Sequence, residues 1–135
     1  MVIEPATQVS EAITAIALEA HASVVGHRGG EGFLDDLLGD KAIDDVLNDF
    51  VDRGELFVDN ATEPKILLLL SNHVVKAVYV RPEDRRMGRA RTALQQLLDS
   101  PNPPRDAFAL PGDRATKSLY ESLGWKARLL TMRGD

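Results

Sequence analysis

Two short stretches carry the residue types that could do chemistry. In "RRMGRA", residues 85–90, Arg85, Arg86 and Arg89 surround Gly88 at the entrance of a periodic helix pattern, with Arg91 just beyond. Basic side chains at that end oppose the helix dipole, and none of the usual capping residues is present. A bound anion would offset the cost. A strand followed by a tight loop and a helix start turns successive backbone N–H groups into one concavity. Gly88 lets the backbone approach a ligand closely, and Ala90 is small enough not to block it. Such a layout suits a pyrophosphate; the other reading is a solvated basic helix start. The Lys-Ser/Thr of a P-loop is missing, and the glycine spacing differs from the dinucleotide fingerprint.

The second stretch is "DRATKSLYESLGW", residues 113–125. Taken by itself, Tyr120 fits an amphipathic aromatic at the edge of the core. Histidine chemistry is sparse. His21 and His27 are six apart with no cysteine in the chain, which argues against a metal site. His73, at the start of an extended run, is the nearest neutral-pH base by sequence, although a histidine at a strand end is commonly a surface residue.

The elements that must hold these residues can be read from hydrophobic spacing. "VIEP" fits a short opening strand, and Thr7 or Ser10 can cap a first helix whose stripe is Val9, Ile13, Ile16, Ala17 and Ala20. "GHRGGEG" reads as a loop with four glycines. A second helix follows Asp40 as N-cap, with Ile43, Val46, Leu47, Phe50 and Val51 inward, and ends at Arg53-Gly54. "ELFVDN", "KILLLL" and "HVVKAVYV" form an antiparallel meander stopped by Arg81-Pro82. A helix after Gly88 buries Ala90, Ala93, Leu94, Leu97 and Leu98. "DAFAL" is a short strand, "RATKSLYESL" a helix closed by Gly124, and "WKARLLTM" a last strand. The order is α/β with a mixed sheet, in one domain spanning residues 1–135.

Composition bounds the rest. Hydrophobic content of 44% and charged content of 27% are ordinary for a globular chain. The absence of cysteine excludes disulfides, thiolate metal sites and a cysteine nucleophile. "MVIEPATQ" lacks the basic end and apolar stretch of a signal peptide, and "ILLLL" is too short to cross a bilayer, so the expectation is a cytoplasmic protein with no membrane partner. Charge is divided unevenly. Residues 1–64 hold 14 Asp+Glu against 3 Lys+Arg, net −11, and residues 65–135 hold 13 Lys+Arg against 7 Asp+Glu, net +6. One domain can thus present an anion-binding face and a cation-attracting face. Aromatic content of 5% and a net charge of −5 argue against nucleic-acid binding. Nothing here separates a monomer from a homodimer.

Taken together, "VYVRPEDRRMGRA" and "DRATKSLYESLGW" resemble the GNAT superfamily of N-acetyltransferases. The family's phosphate motif is Arg or Gln, two residues, Gly, one residue, then Gly or Ala, after a strand ending in Val-x-Pro. Val80, Pro82, Arg85, Gly88 and Ala90 fit it. A Leu-Tyr pair followed by Leu-Gly-aromatic is matched by Leu119, Tyr120, Leu123, Gly124 and Trp125. The resemblance implies a mostly antiparallel sheet with flanking helices, splayed between its fourth and fifth strands, where acetyl-CoA lies and leaves as CoA. It implies that Val78, Tyr79 and Val80 line the pantetheine arm and that Arg85, Arg86, Met87, Gly88, Arg89, Ala90 and Arg91 form the pyrophosphate loop. Tyr120 matches the tyrosine that protonates the departing thiolate. Asp113 stands where members often have a cofactor-side Asn, and also fits a helix cap. Lys76 occupies the position of the usual proton-accepting acid, "AFAL" offers none, and the base is left unassigned. The acceptor implied is a small amine or a peptide N-terminus. Asp35, Asp36, Asp44, Asp45, Asp49 and Asp52 would favour a cationic one if they border its groove, and otherwise only keep an outer helix face wet. A CoA-binding regulatory module without turnover is the alternative.

Overall fold

The computed structural model describes residues 1–128 and 132. Its centre is β3, Ile66–Ser71, whose five apolar residues are buried on both sides of the sheet. Leu67 and Leu69 face one way, and Ile66, Leu68 and Leu70 the other, which is why the run reads as continuously hydrophobic rather than alternating. Two cores follow from that. The first holds Ile13, Ile16, Val46, Leu47 and Phe50 from the helices of the first half, and the second holds Ala93, Leu94, Leu97 and Tyr120 from those of the second half.

The sheet has the order β1-β2-β3-β4-β5, with β1 at Glu4–Pro5, β2 at Leu56–Val58, β4 at Val74–Val80 and β5 at Asp106–Ala107. The first four strands pair antiparallel and β5 pairs parallel to β4, so the fold is a mixed, mostly antiparallel sheet with flanking helices. Asn60 closes the β2–β3 turn by accepting the N–H groups of Thr62 and Glu63 at 2.8 and 3.0 Å. Asn72 and His73, both at positive φ (51° and 63°), make the two-residue β3–β4 turn. His73 is therefore a turn residue and not the first residue of the strand.

α1 spans Glu11–Val25 and is capped by Ser10, whose hydroxyl accepts from the Ile13 N–H at 3.2 Å. The chain then departs from the sequence reading. The glycine-rich stretch is only partly a loop: from Gly30 it becomes α2, Gly30–Leu38, making three helices before the meander where two were expected. Glycine is required there because a Cβ on Gly30 would lie 1.8 Å from the Val24 carbonyl oxygen, so α2 starts against the last turn of α1. Gly30→Ala should cost about 1–3 kcal/mol as an overpacked contact and lower Tm by several degrees in a thermal melt. An unchanged melt would show that the two helices are free to part.

α3 spans Ile43–Asp52 with Ala42 at its N-cap and no side-chain cap, so Asp40 does not have the expected capping role. α4, Arg89–Leu98, follows a single 3₁₀ turn at Pro82–Asp84. α5, Arg114–Ser122, is capped by Asp113, whose carboxylate accepts from the Thr116 N–H at 3.1 Å and from the Thr116 hydroxyl at 2.6 Å. β5 is shorter than "DAFAL", because the chain leaves β4 after Ala107. The expected last strand, 125–132, is not formed at 125–128, and 129–131 lie outside the described residues.

Candidate functional site

The register of β4 sets the site. On β3, Leu69 and Leu70 are adjacent, but their partners on β4 are Ala77 and Val75. Lys76 is the extra residue, a β-bulge, and bulges bend a strand and re-aim side chains. Pairing with β5 covers only Val74↔Asp106 and Val75↔Ala107, and the Phe108 N–H donates to the Val75 carbonyl at 2.9 Å. Beyond that point β4 continues to Val80 without a strand partner on this edge among the described residues.

Which peptide groups face the open edge follows from alternation. The Arg81 N–H donates to the Lys65 carbonyl at 3.0 Å, so Arg81, Tyr79 and Ala77 direct their polar groups at β3. Those of Val78 and Val80 then point the other way, into the gap. The Val80 carbonyl is partly used there, accepting from Arg85 Nε at 2.8 Å. Tyr79 differs in its side chain: the ring packs in the first core and the hydroxyl donates to Glu19 Oε1 at 3.4 Å. Burial and the nearby Glu19 carboxylate raise the Tyr79 hydroxyl above its ordinary pKa.

A cavity of about 60 Å³ fills the mouth of the gap, lined by Lys76, Ala77, Val78 and Tyr79 of β4 and by Phe108, Ala109 and Leu110 after β5. Ser23 of α1, His27 of the α1–α2 turn and Phe33 of α2 close it. The Phe33 and Phe108 rings lie 5.7 Å apart, joining α2 to the far wall. His27 comes to the cavity because the α1–α2 turn packs on residues 110–112, with Gly29 beside Pro111 and Gly112 beside Arg28. Sequence spacing does not find this histidine, since its place depends on that tertiary contact. Its Nδ1 lies 2.7 Å from the Ser23 carbonyl oxygen. A carbonyl can only accept, so Nδ1 carries the hydrogen and the neutral ring keeps a lone pair on Nε2. His73 is exposed and is not among the residues lining the cavity.

At the other end of β4 the chain forms the basic loop. Arg86 (φ 66°) and Gly88 (φ 72°) both take left-handed conformations, which costs a non-glycine residue about 1–3 kcal/mol. The first bond of the α4 ladder runs from the Thr92 N–H to the Gly88 carbonyl at 3.0 Å. The N–H groups of Arg89, Ala90 and Arg91 precede it, and no side chain caps them. The arginines are not equivalent. Arg85 stacks over the Tyr79 ring at 5.6 Å, and Arg91 Nη2 donates to the Ser122 carbonyl at 3.3 Å, tying α4 to the end of α5. Arg89 reaches Asp84 at 4.0 Å and leaves its Nε buried without a partner. Arg86, Met87 and Gly88 are exposed.

Tyr120 is 6% exposed, stacks on Trp125 with centroids 5.5 Å apart, and donates its hydroxyl to the Phe108 carbonyl at 3.0 Å. Burial, with a smaller contribution from the Asp113 carboxylate, pushes its pKa far above the ordinary tyrosine value. It does not line the cavity, but the peptide it bonds to belongs to a residue that does. Asp113 lines the cavity while capping α5. None of Asp35, Asp36, Asp44, Asp45, Asp49 and Asp52 lines it. Among the described residues no group of three His, Cys, Asp or Glu could hold a metal, and no helix is long and apolar enough to cross a membrane.

No protein-family model, curated protein or solved structure matches this chain.

Proposed function

We propose that the chain is a GNAT-like N-acetyltransferase that moves an acetyl group from acetyl-CoA to a primary amine. The observation that carries this reading is the open edge of β4: a parallel pair that stops at Val75 and Ala107, with the Val78 and Val80 peptides facing a gap that no strand fills among the described residues, and a cavity at the mouth. An extended amide-bearing chain satisfies such an edge as a further strand would. The cavity has room for a few atoms, the size of a thioester end, while the uncapped N–H groups of Arg89, Ala90 and Arg91 suit a pyrophosphate.

Acetyl-CoA supplies the activated acyl group; the chain must position it and manage charge. The Val78 N–H can stabilise negative charge on the carbonyl oxygen as the amine attacks. The C–N bond forms, the C–S bond breaks, and one proton leaves the nitrogen as another reaches the sulfur. His27 Nε2 is the base the cavity offers for the first proton. Tyr120 is the donor proposed for the second, exchanging its bond to the Phe108 carbonyl for one to sulfur.

Release of free thiol from acetyl-CoA, followed across a panel of amines, tests the reaction. Acetyl-CoA binding with no thiol release on any amine would favour a regulatory CoA-binding module instead. His27→Gln should lower kcat at least a hundredfold, in the range of general-base catalysis, and leave acetyl-CoA affinity within about twofold by calorimetry. A loss of kcat under about threefold would return His27 to packing.

A further inference from the structure

The charges at the cavity bear on which amine it accepts. Of its lining residues, Lys76, His27 and Asp113 are those that can be charged at neutral pH. Both carboxylate oxygens of Asp113 already accept hydrogen bonds from Thr116, so that charge is committed to its own helix. Lys76 differs. Among the described residues it has no carboxylate partner, and its ammonium rests over the ring of Phe108, with Nζ 4.7 Å from the centroid. A cation over an aromatic face is held less strongly than one in a charge-assisted hydrogen bond, and the ammonium keeps three donors available.

Its place in the strand adds to this. Lys76 is the bulged residue of β4, inserted opposite Leu69 and Leu70, next to the point where β5 departs. The acidic residues that might have called for a cationic acceptor are elsewhere, and Asp49 is paired with Lys41 at 2.7 Å. Beside the ammonium, the Phe33–Phe108 pair offers an apolar wall.

We infer that Lys76 binds an anionic group of the acceptor, so that the preferred substrate is an amine that also carries a carboxylate, as an amino acid does. This rests on the acetyl-transfer reading above. The carboxylate sits on the half-buried Lys76 and the side chain lies against Phe108, which is 43% exposed, so the acceptor occupies the rim and only its amine reaches toward the thioester.

The test compares free amino acids with their primary amides as acceptors, in the parent protein and in Lys76→Gln and Lys76→Glu. The readout is the ratio of kcat/KM for acid over amide, which cancels the intrinsic difference between the two amines when variants are compared. The ratio should fall at least tenfold in Lys76→Glu, by an intermediate factor in Lys76→Gln, and recover in Lys76→Arg. Acetyl-CoA affinity should stay constant throughout. An unchanged ratio in Lys76→Glu overturns the inference, as does transfer to neutral or cationic amines with none to any amino acid. Failure of the parent to bind acetyl-CoA overturns the acetyl-transfer reading itself, and a parent that binds it but acetylates nothing overturns both.

Discussion

Gly88→Val should abolish measurable CoA binding in calorimetry while the far-ultraviolet circular dichroism stays that of the parent. Two features of the position lead to this expectation. Gly88 holds φ at 72°, a region a β-branched residue enters only under strain, so valine re-routes the turn that presents the Arg89, Ala90 and Arg91 N–H groups. A Cβ at Gly88 meets nothing within 4 Å, so the core has no reason to be disturbed. Hydrogen bonds to a charged partner are worth about 1.5–3 kcal/mol each, and losing two of them weakens binding at least a hundredfold. Gly88→Asn is the informative companion, because asparagine tolerates the left-handed region. Retained binding in Asn with loss in Val assigns the effect to backbone conformation. Equal affinity in Val and parent would remove the pyrophosphate from this loop.

The parts of the fold that local pattern dictates could be read from the sequence. The meander is announced by "KILLLL" and "HVVKAVYV", and Ser10, Asp113 and Gly124 punctuate helices where their side chain or conformation requires. α2 could not be read that way. Four glycines within seven residues signal a loop, and only the approach of Val24 to within 1.8 Å of a Cβ on Gly30 explains why one of them starts a helix. Asp40 failed as a cap for a smaller reason: the α3 helix begins after Ala42, two residues later.

The candidate site divides along the same line. The basic loop lies in consecutive residues that spacing can pick out, whereas the edge peptides of Val78 and Val80 are indicated by the family resemblance. His27 and Lys76 at one cavity depend on a turn between helices packing on residues 110–112 and on a bulge opposite Leu69 and Leu70, and neither leaves a periodic signal. The charge of the acidic half is a blunt guide for a related reason. Net charge per segment counts residues wherever they point, and Asp44 and Asp45 on α3 are exposed while its apolar face packs inward.

Tyr120→Phe separates catalysis from packing at the most buried polar residue of the candidate site. The ring is enclosed in the second core, and phenylalanine keeps that volume, so the cost to stability should be about 1 kcal/mol for the lost bond to the Phe108 carbonyl. Loss of a proton donor used only at the transition state would lower kcat a hundred- to ten-thousand-fold with acetyl-CoA affinity unchanged. A second readout comes from alkaline titration. The folded Tyr120 has a pKa raised above its ordinary value of 10.0, so above that pH the unfolded chain releases a proton that the folded chain retains. Stability is undiminished below pH 10.0 and declines as pH rises above it toward the folded value. Tyr120→Phe should lack this part of the decline, and Tyr79, also raised, is present in both proteins and drops out of the difference. Altered alkaline stability with kcat within about twofold of the parent, against the range expected of a general acid, would make Tyr120 a structural tyrosine that fixes the Phe108 peptide. Both changes together would mean that the same hydroxyl orders the cavity wall at rest and gives up its proton during transfer.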